Sequence, residues 1–205
     1  MSSIPELYAQ AGRDPIVAQL VEALLALVSE ADRPTVERAF LMAEQAHAGQ
    51  TRDEGSPYII HPVRVALTLA THGHTDAELL AAALLHDTLE DTELPAATIA
   101  SEFSPRVAAL VQTVSRPPRS VADRDAIYHR QLIEGPPEAR VLKVADRLDN
   151  LSFLHLSNRP GKAERYLHET EQEVLPIAHE IGGPLGDAFA AWWHANRTPP
   201  VGEQR

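Results

Sequence analysis

Residues 79–92 read Leu79-Leu80-Ala81-Ala82-Ala83-Leu84-Leu85-His86-Asp87-Thr88-Leu89-Glu90-Asp91-Thr92. The apolar run from Leu79 to Leu85 must be buried, and polar groups able to bind a metal follow it directly. A buried imidazole and buried carboxylates cannot stay uncompensated, because burying charge costs far more than packing returns. A cation in the middle of a helical protein is the simplest compensation.

Outward from this stretch, apolar residues recur at helical spacing between Pro and Gly breaks. The segment 16–28 puts Ile16, Leu20, Leu24, Leu27 and Val28 roughly on one face, and Val36, Phe40 and Ala43 stripe a second helix. Residues 49–58 are polar and hold Gly55 and Pro57, which predicts a loop. His61-Pro62 opens a third helix, with proline in the tolerated first turn. Asp76 caps the fourth, which carries the opening motif. Pro95 and Pro105 each start another. A connector at 116–120 leads to a helix that Gly135-Pro136-Pro137 breaks. Residues 138–156 form a long helix, Asn158 to Gly161 a turn, and 162–181 and 185–196 the last helices, with a disordered tail from Thr198. No alternation of period two is convincing, so the class is all-α with roughly ten helices.

The bulk numbers restrict partners. The 205 residues suit one domain of ordinary size, and the absence of cysteine excludes disulfides, thiolate metal sites and a cysteine nucleophile. A formal net charge of -11 argues against nucleic acid and anionic membranes, which need basic patches. No apolar run is long enough to span a bilayer and the N-terminus lacks a signal pattern, so a cytoplasmic protein is expected. A phosphorylated small molecule is compatible with this charge if a metal or local Arg/Lys groups offset it, and a homodimer is left open.

Four residues have ligand chemistry in a helical setting: His61, His86, Asp87 and Asp146. Imidazole with carboxylate and no sulfur suits Mn²⁺, Fe²⁺, Zn²⁺ or Mg²⁺. Neighbours on a helix lie about 100° apart, so His86 and Asp87 grip one ion only where the helix end faces the site. Glu90 and Asp91 follow one turn on. Lys143, Asp146, Arg147 and Asn150 share one stripe of a later helix at i, i+3, i+4, i+7. For Arg147 and Asp149 a solvated face is the simpler expectation. Flanking Leu142, Val144, Ala145, Leu148 and Leu151 argue against it for Asp146 and Asn150.

The order His61, His86-Asp87, Asp146 resembles the H…HD…D pattern of HD-superfamily metal-dependent phosphohydrolases. The surrounding text is more specific. Ala46-His47-Ala48-Gly49-Gln50-Thr51-Arg52, Gly55-Ser56-Pro57-Tyr58-Ile59-Ile60-His61-Pro62, Ala82 to Thr92, and Lys143-Val144-Ala145-Asp146-Arg147-Leu148-Asp149-Asn150 resemble the hydrolase domain of Rel/SpoT-type alarmone enzymes. So does Glu169-Thr170 through Leu175-Pro176-Ile177-Ala178-His179 to Gly182. The resemblance implies an HD-type domain over 34–183, an N-terminal helical extension over 1–33, and a C-terminal helix and tail over 184–205. It implies a stand-alone small alarmone hydrolase that removes the 3′-pyrophosphate of ppGpp or pppGpp with Mn²⁺ in stringent-response alarmone degradation. His61, His86, Asp87 and Asp146 would be ligands. Glu90 and Asp91 would orient or deprotonate water, and Arg52, Tyr58, Lys143 and Asn150 would contact the nucleotide.

One position departs from the family. A basic residue usually follows the counterpart of Arg52, and here it is Asp53, which removes a phosphate contact and adds repulsion. Arg116 and Arg119 could supply that charge or be solvated loop residues. Asp53 keeps another nucleotide open, such as (p)ppApp or NADPH. A non-catalytic nucleotide-binding regulator is the third alternative, against which every ligand and water-handling position is filled. His47 is expected to be structural, His72 and His74 to lie on the surface, and one ring of Trp192-Trp193 to pack on the body.

Overall fold

In the computed structural model, residues 14–157 and 159–197 are described, with only the backbone of Arg197. Asn158 and the expected tail from Thr198 lie outside the described residues, whereas 159–161 form the expected turn, with Lys162 N donating to Arg159 O at 3.2 Å. The helices are α1 (Pro15–Ala26), α2 (Arg33–Ala46), α3 (Ile60–Thr71), α4 (Ala77–Leu85), α5 (Thr88–Asp91), α6 (Ala96–Glu102), α7 (Pro105–Val114), α8 (Arg124–Glu134), α9 (Pro137–Ser152), α10 (Lys162–Glu169), α11 (Leu175–Ile181) and α12 (Gly183–Arg197). A 3₁₀ turn, Leu154–Leu156, follows α9, and a π turn, Thr170–Val174, joins α10 to α11. There is no strand among the described residues; the nearest thing is an isolated bridge between Thr51 and Pro57. The all-α expectation stands. No described helix is long and apolar enough to cross a membrane.

Local chemistry sets several helix ends. The Asp14 carboxylate caps α1 at Ile16 N, and Asp76 caps α4 at Leu79 N. Ser104 caps α7 the same way. These acceptors satisfy amides that have no partner inside the helix. Helix α4 is the centre of the molecule: every residue from Leu79 to Leu85 is buried. It packs on α2, α3 and α7, and α9 crosses α3 beside it.

The first helix is rotated from its expected face. Val17, Val21, Leu24, Leu25 and Val28 are buried, whereas Ile16 and Leu27 are exposed. The segment carries more apolar residues than one face can hold, and the stripe beginning at Val17 is the one that meets α3. At the other end, Leu185 and Phe189 of α12 belong to the same core, Trp193 is buried and Trp192 packs against it in part. Gly186 permits the close approach of α12 to α11, since a Cβ there would lie 2.5 Å from the Ala178 carbonyl oxygen.

Candidate active site

The opening motif sits on a break, not on a continuous helix. Helix α4 ends at Leu85, His86 is its C-cap, and α5 begins at Thr88. Side chains of the motif take over the last carbonyls: His86 Nδ1 lies 2.7 Å from Ala83 O, and Thr88 Oγ1 donates to Leu85 O at 2.6 Å. That competition ends the helix and turns His86 and Asp87 toward one point. Their divergence on a regular helix therefore does not arise.

His61, in the first turn of α3, and Asp146, in α9, meet them there. His61 Nε2 is 3.2 Å from Asp146 Oδ1 and 3.5 Å from Asp87 Oδ2. His86 Nε2 is 3.2 Å from Asp87 Oδ1 and 3.7 Å from Asp146 Oδ1. One ligand atom each from His61, His86 and Asp146 falls within 4.8 Å of the others. The three residues are 1%, 3% and 7% exposed.

The tautomers make a cation the natural occupant. His86 Nδ1 faces a carbonyl, which only accepts, so Nδ1 carries the proton. His61 Nδ1 lies 2.6 Å from Asp149 Oδ2. Asp149 also accepts from Arg64 Nε at 2.7 Å and Arg64 Nη2 at 3.1 Å, so it is ionised and His61 Nδ1 is likewise the donor. A neutral ring on either residue then aims a lone pair of Nε2 at carboxylate oxygens. His86 Nε2 is buried with no hydrogen-bond partner. Two lone pairs among two carboxylates need either a divalent ion or protons.

Without the ion, protons fill that role. Burial lowers the pKa of both imidazoles, but the Asp146 and Asp149 carboxylates outweigh it at His61, and Asp87 with Asp146 at His86, so both end raised. Burial raises Asp87 and Asp146, but the neighbouring cations win: the His86 and His61 imidazoles hold Asp87 low, and Lys143 with the imidazoles holds Asp146 low. Lys143 Nζ donates to Asp146 Oδ2 at 2.8 Å.

Glu90 and Asp91 line the same cleft as the cluster. Desolvation raises the Glu90 pKa, the Asp87 charge adds to it, and the Arg116 backbone amide, 2.7 Å from Oε1, pulls the other way. Asp91 is raised by desolvation and then by Asp87, with Tyr58 opposing. Tyr58 Oη donates to Asp87 Oδ2 at 2.6 Å and reaches Asp91 Oδ2 at 3.1 Å. Asn150 Nδ2 donates to Asp146 Oδ1 at 2.6 Å, and Arg52 Nη2 donates to Asn150 Oδ1 at 3.2 Å. Each residue singled out from the sequence thus lines one cleft of about 690 Å³ or, for His86, its floor.

Two sequence expectations are corrected here. Arg147 and Asp149 are not a solvated face: they are 3% and 5% exposed. Arg147 donates to Tyr166 O and Thr170 Oγ1, both at 3.3 Å, which ties α9 to α10. Helix α9 is polar on the side facing the cleft and its supports, and this inverts the usual reading of a stripe. Asp149 was the partner to look for, because a ligating histidine almost always gives its second N–H to an acceptor. Arg64 gave no such signal. His47 stacks on Tyr58 with ring centroids 4.6 Å apart, its Nδ1 2.9 Å from Gln50 Oε1, and Gln50 donates to Asp91 O at 2.8 Å.

The cleft is less acidic than the chain as a whole, with seven carboxylates beside its cations. Eight of the chain's 18 Lys and Arg residues line it, including its only two lysines. Arg116 is not free to receive a ligand. Its guanidinium is held by Asp125 at 3.0 Å, Glu173 at 3.4 Å and Glu169 at 3.7 Å.

Residues 39–126 match the HD domain family model. The chain is 40% identical over 151 residues to the guanosine-3′,5′-bis(diphosphate) 3′-pyrophosphohydrolase of Aquifex aeolicus (strain VF5), across 72% of this chain and 21% of the relative. It is 38% identical over 175 residues to the probable GTP pyrophosphokinase of Mycobacterium leprae (strain TN), across 82% and 22%. The chain thus spans about a fifth of the length of the curated relatives it matches. A solved metazoan ortholog of SpoT that hydrolyzes ppGpp superposes with a TM-score of 0.71 at 24% identity, over 80% of this chain and 96% of that one, a likeness of fold.

Proposed function

We propose that the chain is an HD-domain hydrolase that removes the 3′-pyrophosphate of ppGpp or pppGpp, giving GDP or GTP and pyrophosphate, a reading supported by the match of residues 39–126 to the HD domain model and by the likeness to a guanosine-3′,5′-bis(diphosphate) 3′-pyrophosphohydrolase. The observation that carries this reading is the cluster of His61, His86, Asp87 and Asp146, whose Nε2 atoms and carboxylates suit a cation at the floor of a cleft that also carries eight Lys and Arg residues. These four residues would hold the ion. Mixed imidazole and carboxylate ligands suit Mn²⁺, with Fe²⁺, Zn²⁺ and Mg²⁺ as alternatives. When bound, it would supply Lewis acidity toward water and the phosphoryl oxygens.

The chain's own residues supply the rest. Glu90 and Asp91 have raised pKa values, which suits them to take a proton from water near neutral pH. The Arg116 amide fixes Glu90, and Tyr58 holds Asp91 against Asp87. Water oxygen bonds to the phosphorus attached to O3′, the P–O3′ bond breaks, and a proton returns to the 3′-oxygen. Arg52 and Asn150 hold the nucleotide, and Lys143 offsets charge beside Asp146. Asp53 favours another nucleotide through a missing phosphate contact and through repulsion. That carboxylate is already paired with Arg159 and Lys162, so the repulsion is offset, and both cations line the same cleft.

The test is to incubate the purified chain and Mn²⁺ with ppGpp, ppApp, GTP or NADPH and follow pyrophosphate and orthophosphate. Pyrophosphate from ppGpp is the expected result. Turnover confined to another nucleotide would reassign the substrate. Bound metal with no turnover at all would favour a nucleotide-binding regulator.

A further inference from the structure

The loop between α2 and α3 lines the cleft, and so does the segment carrying Ser157, Arg159 and Lys162. Asp53 joins them. Its side chain is 8% exposed and has three partners. Oδ2 accepts from Ser157 Oγ at 2.6 Å and from Lys162 Nζ at 2.7 Å, and Oδ1 lies 2.8 Å from Arg159 Nε. These partners stand more than a hundred positions along the chain. Desolvation works against the carboxylate, but the hydroxyl and the two cations outweigh it and keep it ionised.

The same loop carries Arg52, one position before Asp53. Its guanidinium donates to Asn150 and lies 5.8 Å from the Tyr58 ring centroid. Within itself the loop is closed by Arg52 N to Ser56 O and Tyr58 N to Gln50 O. Arg52 and Asp53 therefore carry side-chain bonds from this turn to α9 and to the segment from Ser157 to Lys162. Two cations around one carboxylate leave the spot net positive, so Asp53 does not present free negative charge to a phosphate.

We propose that Asp53 is a positioning residue: its bridge to Lys162 and Arg159 sets the spacing of the two segments and the placement of Arg52, and so governs how tightly the nucleotide is held without touching the hydrolytic step. The kinetic consequence rests on the hydrolase reading above, whereas the bridge itself rests on the geometry alone.

Two measurements on the Mn²⁺-loaded full chain test this. In Asp53→Asn, KM for ppGpp should rise about tenfold with kcat within about twofold of the parent, the pattern of lost binding that is uniform along the reaction. Amide hydrogen exchange over residues 50–57 and 159–166, measured without substrate, should become faster in the same variant. Asp53→Glu keeps the carboxylate and should recover most of both changes. Arg159→Ala removes a partner that is 72% exposed and should shift both readouts the same way, less far, even where the Asp53 variant folds poorly. A fall in KM would mean that Asp53 repels substrate and would overturn the proposal. So would a rise in KM with unchanged exchange, or a loss confined to kcat. If the parent protein turns over no ppGpp, the hydrolase reading fails, while the exchange comparison still decides whether the bridge exists.

Discussion

At the residue scale, the site depends on groups that never touch a ligand. Asp149 fixes the tautomer and ring plane of His61, and Arg64 fixes Asp149. Asp149→Asn should lower Mn²⁺ affinity by about 10- to 100-fold, read by metal titration, with the fold unchanged by circular dichroism. Glu90 should behave differently. Glu90→Gln should keep the metal and slow turnover by about 10²- to 10⁴-fold. The imidazoles also give the cation-free protein a distinctive pH response. His61 and His86 lie above their ordinary 6.5, so their pairing stabilises the fold in full below about pH 6.5 and is lost as pH rises through the raised values. Asp87 and Asp146 lie below their ordinary 3.8, so their contribution is present above about pH 3.8 and is lost in acid. Calorimetry of chelated protein should show Tm greatest between those limits and falling above neutrality. Mn²⁺ binding should weaken on acidification, because the ion must displace those protons.

At the element scale, helix positions were legible because Pro, Gly and capping Asp mark them, and α2, α3 and α4 lie close to where periodicity puts them. The break at His86-Asp87 was not legible as a break. It arises from His86 and Thr88 side chains capturing carbonyls of Ala83 and Leu85, a contest that apolar periodicity does not register. The segment 162–181 reads as one helix, and it holds a π turn at Thr170–Val174. Thr170 Oγ1 receives Arg147 beside that turn, and such insertions gather at functional sites. The buried Arg147 is the clearest failure of stripe reasoning, since helical spacing says which residues share a face but not whether that face meets water or a cleft. Arg147→Met should cost on the order of 2 kcal/mol in urea unfolding, for loss of hydrogen bonds from a charged donor.

At the scale of the whole molecule, the gathering of His61, His86, Asp87 and Asp146 was readable because residue type, order and surrounding text agree, while the contacts of Asp53 were not. The sign of the Asp53 effect depends on Ser157, Arg159 and Lys162, which share no sequence neighbourhood with it. The gathering of cations in the cleft of a chain with net charge -11 is likewise a product of folding. It should make KM for a polyanion rise with ionic strength, since exposed charges are screened over about 10 Å at 0.1 M salt. The central measurement is product analysis of ppGpp with Mn²⁺, comparing the parent protein with Asp87→Ala. The proposed function predicts GDP and pyrophosphate in equal amounts from the parent and neither metal nor turnover in the variant. Turnover that survives in Asp87→Ala, or orthophosphate in place of pyrophosphate, would contradict it.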